Sequence, residues 1–240
     1  MRHVRPIRTL TDVLDDGAFV SVERQRRLAD LLGEGGEYAD RWDVDLDAGT
    51  LTFTGRGGTL VTPAHLVGTA APGPGSWMWA WNNVNGFSDA VVARAGAVRD
   101  FGARFGIKEL ASAEVPLRGE PRQDAVEYAV AAGLVNGGLP HYTAEVGGGT
   151  VVAFVVDEPR AALGAPSVAT AASVVAEALA NGAALDHRRA LEAYGELRGF
   201  GVPEQTDDLV VLEAADGRLT ARFDAEGRIT GLDGTIAQPG

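Results

Sequence analysis

Trp77, Trp79 and Trp81 stand at alternate positions and run into Asn82, Asn83 and Asn85. Residues two apart along an extended strand project from one face, whereas a helix would scatter the same rings around its axis. The spacing therefore predicts a strand. Three indoles on one face make either a packed slab or a platform for a sugar, a base or a partner's apolar side chain. In the second case the amides supply hydrogen bonds at the rim. Because a soluble chain rarely exposes so large an apolar patch, most of the row is expected beneath a helix. The end nearest Trp81 and Asn82 is expected to stay accessible. The candidate ligand- or partner-binding residues are thus Trp77, Trp79, Trp81, Asn82, Asn83 and Asn85.

Catalytic chemistry has thinner support. The histidines His3, His65, His141 and His187 match no zinc-ligand spacing. His65 and His141 fall in expected strands, where meeting Glu109, Glu127 or Glu145 would build an acid–base pair. Two hydrogen-bonded histidines at strand ends are the plainer reading. Asp43, Asp45 and Asp47 resemble the opening of a calcium loop, but Ala48 and Thr54 replace the glycine and bidentate acid that such a loop needs. The three acids read instead as the wet face of a strand. Ser76, in Gly73-Pro74-Gly75-Ser76-Trp77, lacks the strand–turn–helix context of a nucleophile elbow. Gly147-Gly148-Gly149 precedes a strand, so it reads as a hairpin turn and not as a phosphate cradle. There is no cysteine, which excludes disulfides, thiolate zinc sites and a cysteine nucleophile. No catalytic residue, metal site or cofactor is assigned.

Charge narrows the partners. Thirty-three acidic side chains against 21 basic ones leave a net charge of −12. That balance opposes sequence-independent binding to nucleic acid and to anionic membranes, and it suits a basic protein partner. Solubility alone is its simplest cause. Oligomeric state is not encoded in any pattern here. No apolar run is long enough to span a bilayer, and no apolar segment follows the basic start Met1 to Arg8, so a cytoplasmic protein is expected. Lys108 is the only lysine. With abundant Ala and Gly, this suggests a GC-rich bacterial genome.

The elements that must position the tryptophans follow from periodicity. Residues 1–18 lack a clear period and read as a lead-in; Ser21 is placed to cap a helix through Leu28, Leu31 and Leu32 to Gly33, with Gly33 to Gly36 ending it. The period then becomes two: Trp42, Val44 and Leu46; Leu51 and Phe53; Leu60 to about Thr69, with Pro63 arguing for an edge or bulge; then the tryptophan strand. Ser88 opens the next helix, with Phe87 and Val92 as its staple. Pro116, Gly119 and Pro121 mark a connection over 113–123. A helix from about Arg122 to Val135, the hairpin Tyr142–Val146 and Thr150–Val156, and helices capped by Ser167 and Asp186 follow. The last of these is expected to carry Leu191, Tyr194 and Leu197 inward. Leu209–Ala214, Leu219–Phe223 and Arg228–Leu232 close the chain as a meander. The fold class is α+β: N-terminal helix, four-strand antiparallel meander, helices, central hairpin, two helices and C-terminal β-meander. One domain over 1–240 is expected, with 113–123 the alternative boundary.

The stretch from Gly68-Thr69 through Trp77-Met78-Trp79-Ala80-Trp81-Asn82 resembles the hallmark of an uncharacterised bacterial family of unknown function, a Gly-Thr followed by Trp-x-Trp-Ala-Trp-x-Asn. The similarity is weaker around Trp42 to Leu46. The resemblance implies no reaction and no cofactor. The order of elements is similar to that of type III secretion chaperones, an analogy of fold only. The expected function is non-catalytic binding, as an adaptor or immunity-type inhibitor using an acidic surface and the aromatic strand. An enzyme using His and Glu, and a small-ligand or glycan binder, stay open as alternatives.

Overall fold

The computed structural model describes residues 5–33, 38 and 40–237; His3 and the expected helix stop at 34–36 lie outside them. In chain order the elements are α1 (Leu10–Leu32), β1 (Arg41–Asp45), β2 (Thr50–Gly55), β3 (Gly58–Ala71) and β4 (Ser76–Trp79). Then come α2 (Asp89–Phe105), α3 (Lys108–Ala111), β5 (Glu114–Pro116), α4 (Pro121–Val135), β6 (His141–Gly147) and β7 (Thr150–Val156). α5 (Val168–Ala180), α6 (His187–Arg198), β8 (Gly201–Gln205), β9 (Leu209–Ala214), β10 (Gly217–Phe223) and β11 (Ile229–Ile236) complete the α+β fold. Contacts divide the chain into two compact units, one of Met1–Ile7, Thr11–Glu23 and Leu163–Gly240, the other of Arg8–Leu10 and Arg24–Ala162.

The larger unit is built on an antiparallel sheet ordered β1-β2-β3-β4-β5, which the β6–β7 hairpin joins through β7 and β3. β3 makes this possible by changing neighbours. It pairs with β2 as far as Pro63 and with β7 from Ala64 onward. Pro63 has no amide hydrogen to give, so its place at the handover costs no ladder bond. β7 is apolar on both sides and buried along nearly its whole length, as a strand covered on both faces must be. One face of the sheet packs Leu51, Phe53, Leu66 and Phe154 against Val91, Val92 and Ala95 of α2. α4 lies against β3, β6 and β7. The 113–123 connection is inside this unit and contributes β5, which pairs with β4.

The smaller unit packs α5, α6 and the Thr11–Glu23 part of α1 with a sheet ordered β11-β10-β9-β8. The expected C-terminal meander is present, with β8 added at its edge. Ser167 and Asp186 stand at the N-caps of α5 and α6, where their side chains accept from Thr170 N and Arg189 N. The carboxylate of Asp216, in the β9–β10 turn, takes hydrogen bonds from Ser167 Oγ and Val168 N. Those donors hold it below the usual carboxylate range.

Three local expectations need correction. The first helix begins at Leu10, so Ser21 lies in its interior and residues 10–18 are helical. Its opening turns were unreadable because buried positions are held by Asp15, Asp16 and Glu23, which break the apolar period. At Ser88 the N-cap backbone is formed, but the side chain makes no capping hydrogen bond. Leu197 is 50% exposed, so of the three apolar residues expected inward on α6 only Leu191 and Tyr194 are buried.

Candidate binding site

The tryptophan strand is shorter than its spacing suggests. β4 ends at Trp79, and Ala80–Asn82 form a turn of 3-10 helix. Trp77 and Trp79 share one face, 5.3 Å apart edge to face, and both meet Tyr128 of α4, on which Trp77 stacks at 5.0 Å. Both indoles are fully buried. Trp79 Nε1 donates to the Glu109 carbonyl at 2.9 Å. Arg118 lies 5.3 Å over the Tyr128 ring while pairing with the buried carboxylate of Asp124 and with Glu127. Burial pushes the Tyr128 hydroxyl up to about 12. These two tryptophans are core and present no platform to a ligand.

Trp81 departs from the row, which corrects the expectation of three rings on one side. The 3-10 turn breaks the two-residue alternation after Trp79. Trp81 is half-buried against the core under α2, with the Arg99 guanidinium 5.7 Å from its ring. Asn83 closes the turn with φ +46°, a left-handed conformation that asparagine tolerates better than most residues. Its amide donates to the Phe87 carbonyl at 2.9 Å and accepts from Phe87 N at 2.8 Å. Asn83 is therefore a clamp that shapes the 83–87 loop, and Asn82 and Asn85 are left exposed.

On the sheet face opposite Trp77 and Trp79 is a groove of about 200 Å³. Thr69, Met78 and Val152 occupy one row across β4, β3 and β7 and form its floor. Val44 and Leu46 wall one side, and Asn83, Val84 and Asn85 form a rim. Val84 is 67% exposed and Val146 55%, so the groove opens between two solvated apolar side chains. Gly68, beneath the aromatic face, has no room for a side chain: an added Cβ would lie within 2.5 Å of the Trp77 ring and would strike the Met78 carbonyl. The groove was not foreseen from sequence. The alternation of Met78 between the tryptophans was the one available sign that a second face existed.

The histidines do not form the acid–base site considered above. His65 and His141 both stand opposite Val155, one on each side of β7. His65 Nδ1 lies 3.0 Å from the Ala90 carbonyl. His141 is buried, which lowers its ring to about 4 and keeps it neutral. The Gln25 side chain donates to and accepts from the His141 backbone, closing the edge of β6 there as a further strand would. His187 Nδ1 accepts from Ile229 N. No group of three or more His, Asp or Glu among the described residues could hold a metal ion.

The matched part of the chain decides its kinship. A family model covers residues 11–159. The chain belongs to a family of unknown function, DUF6882. The DUF6882 span takes in α1, the whole β1–β7 sheet and the groove, and stops before α5. No curated protein and no solved structure matches the chain. A larger hollow of about 390 Å³ beside Arg189, Glu192 and Phe200 belongs to the smaller unit, and most of its lining falls outside the DUF6882 span. No helix among the described residues is long and apolar enough to cross a membrane.

Proposed function

We propose that this chain is a non-catalytic, cytoplasmic binding protein, an adaptor or immunity-type inhibitor, and that the groove beside the tryptophan strand receives an apolar side chain of a protein partner. One observation carries this reading: the groove lies within the DUF6882 span, is apolar on its floor and walls, and is rimmed by exposed Val84, Val146 and Asn85. Apolar anchors in central pockets with amides at the rim are the usual energetic centre of a protein–protein contact. A net charge of −12 favours a basic partner. In the same reading, Gly68-Thr69 and the Trp77–Asn82 run are the hallmark of a bacterial family because they support the groove from behind: Gly68 admits the Trp77 ring beneath the floor, and the neighbouring Asn83 holds the rim loop.

Affinity capture from the native host tests the proposal, using the wild-type chain beside Val84→Asp/Val146→Asp. Supporting results are a partner retained by the wild type, lost from the variant and weakened by salt. Recovery of the same proteins on both baits, or of none on either, would overturn it.

A further inference from the structure

β1 ends the larger sheet, and its outer edge has no strand partner among the described residues. Its two faces differ sharply. Trp42, Val44 and the following Leu46 turn inward, where Trp42 meets the Tyr142 ring edge-on at 5.8 Å and Val44 and Leu46 wall the groove. Arg41, Asp43 and Asp45 are exposed on the other face, and Asp47 is exposed in the turn that follows. Asp45 Oδ1 accepts from Asp47 N and Ala48 N, which fixes the turn that ends the strand.

Resting on the groove reading above, we propose that β1 is a strand-addition site for an extended, basic segment of a protein partner with apolar residues at alternate positions. Main-chain hydrogen bonds to the free edge would supply affinity, and the alternating side chains would supply register. The inward residues of the added strand extend the Val44–Leu46 wall across the mouth of the groove, and its outward Lys or Arg residues face Asp43 and Asp45, with Asp47 in the turn just beyond. The same acids guard the edge. Charged side chains along an exposed edge also disfavour indiscriminate edge-to-edge pairing.

The test is titration of the whole chain with a peptide alternating Lys and Val, against the same residues in two blocks and against a peptide alternating Glu and Val. The alternating basic peptide is expected to bind about tenfold more tightly than the blockwise one and to slow amide exchange in Arg41–Asp45. Exchange in β7 should be unchanged. Asp43→Asn/Asp47→Asn, both at exposed positions, should weaken binding several-fold and flatten its salt dependence. Equal binding of the two basic peptides, unprotected β1 amides in the complex, or tight binding of the acidic peptide would each overturn the proposal. A partner lost from Val84→Asp/Val146→Asp while β1 amides stay unprotected by the peptide would leave the groove standing without strand addition. Protection of β1 in a chain that captures no partner through the groove would do the reverse.

Discussion

α4 lies on its sheet through Ala125, Tyr128, Ala129 and Ala132, with Trp77 and Trp79 beneath it, whereas α6 adds buried charge pairs to its apolar contact with the first half of α1, where Phe19 meets Tyr194. Arg189, 5% exposed, forks onto Asp16 at 2.7 and 2.8 Å, reaches the Asp12 carboxylate at 3.0 Å, shares its Nε–H with the Asp12 carbonyl, and turns its other donors to the carbonyls of Pro6 and Arg5. Further along, Glu23 takes hydrogen bonds from Tyr194 at 2.8 Å and Arg198 at 2.7 Å. Asp12, Asp16 and Glu23 recur at helical spacing, so α1 presents one acidic stripe to α6. The first contact draws on apolar area and tolerates imperfect chemistry. The second adds charges to its apolar packing, and removing one partner there leaves a lone buried charge that costs several kcal/mol.

The comparison is broken most forcefully at its two centres. Arg189→Met should cost about 3–5 kcal/mol in denaturant unfolding, since Asp12 and Asp16 lose their cation, and adding Asp16→Leu should recover most of the loss. Trp77→Ala should cost a similar ~3–5 kcal/mol through the cavity it leaves, with no second charge change able to restore it. If the Asp16→Leu rescue fails, the contact at α6 depends on packing as much as on pairing.

Acid acts in opposite senses on titratable groups of the two units. His141 titrates near 6.5 when unfolded and at about 4 when folded, so the unfolded chain binds the proton first. Stability from this residue is complete above the unfolded value and is lost as pH falls toward 4, on the order of 3 kcal/mol in all. Asp15 and Asp16 shift the other way: burial raises them, and the folded chain takes up their protons at higher pH than the unfolded chain does. Hydrogen exchange at pH 7 and pH 5 should therefore show β6 and β7 loosening before the α1–α6 contact, and His141→Asn should abolish that order.

Smaller changes sharpen the contrast. Gly68→Ala should destabilise the larger unit by about 1–3 kcal/mol, because the methyl group meets the Trp77 ring and a carbonyl, and thermal unfolding would register it. The two buried tyrosines give the finest comparison. The Tyr194 hydroxyl donates to a carboxylate, so Tyr194→Phe should cost about 1.5–3 kcal/mol. The Tyr128 hydroxyl is buried with no hydrogen-bond partner among the described residues, so Tyr128→Phe should be neutral or stabilising in the same measurement.

Legibility followed the same division. Period-two alternation placed β1 and β2, the Gly-rich turns delimited the β6–β7 hairpin, and the Asp186 cap marked the start of α6. Those signals fail where a residue's neighbour is distant in sequence. Residues 10–18 showed no helical period because Asp15 and Asp16 take buried positions, and the backbone amides of Leu185 and Asp186 and the side chain of Arg189 that receive them come some 170 residues later. Of the candidate site residues, Trp77 and Trp79 proved to be core, Trp81 is half-buried against the core, Asn83 shapes the loop, and Asn82 and Asn85 remain accessible.

The order of residues placed β1 to β3, the β6–β7 hairpin, the tight turns and the caps of α5 and α6, and it showed which side of β1 and β2 shuns water. All of these depend on residues a few positions apart. That β3 would leave β2 for β7, that Trp81 would turn away from its two companions, and that a groove would open behind them came from packing across the fold. Those outcomes depend on which surfaces meet, and a strand's neighbours or a carboxylate's cation are set by the balance of burial and pairing across the whole fold.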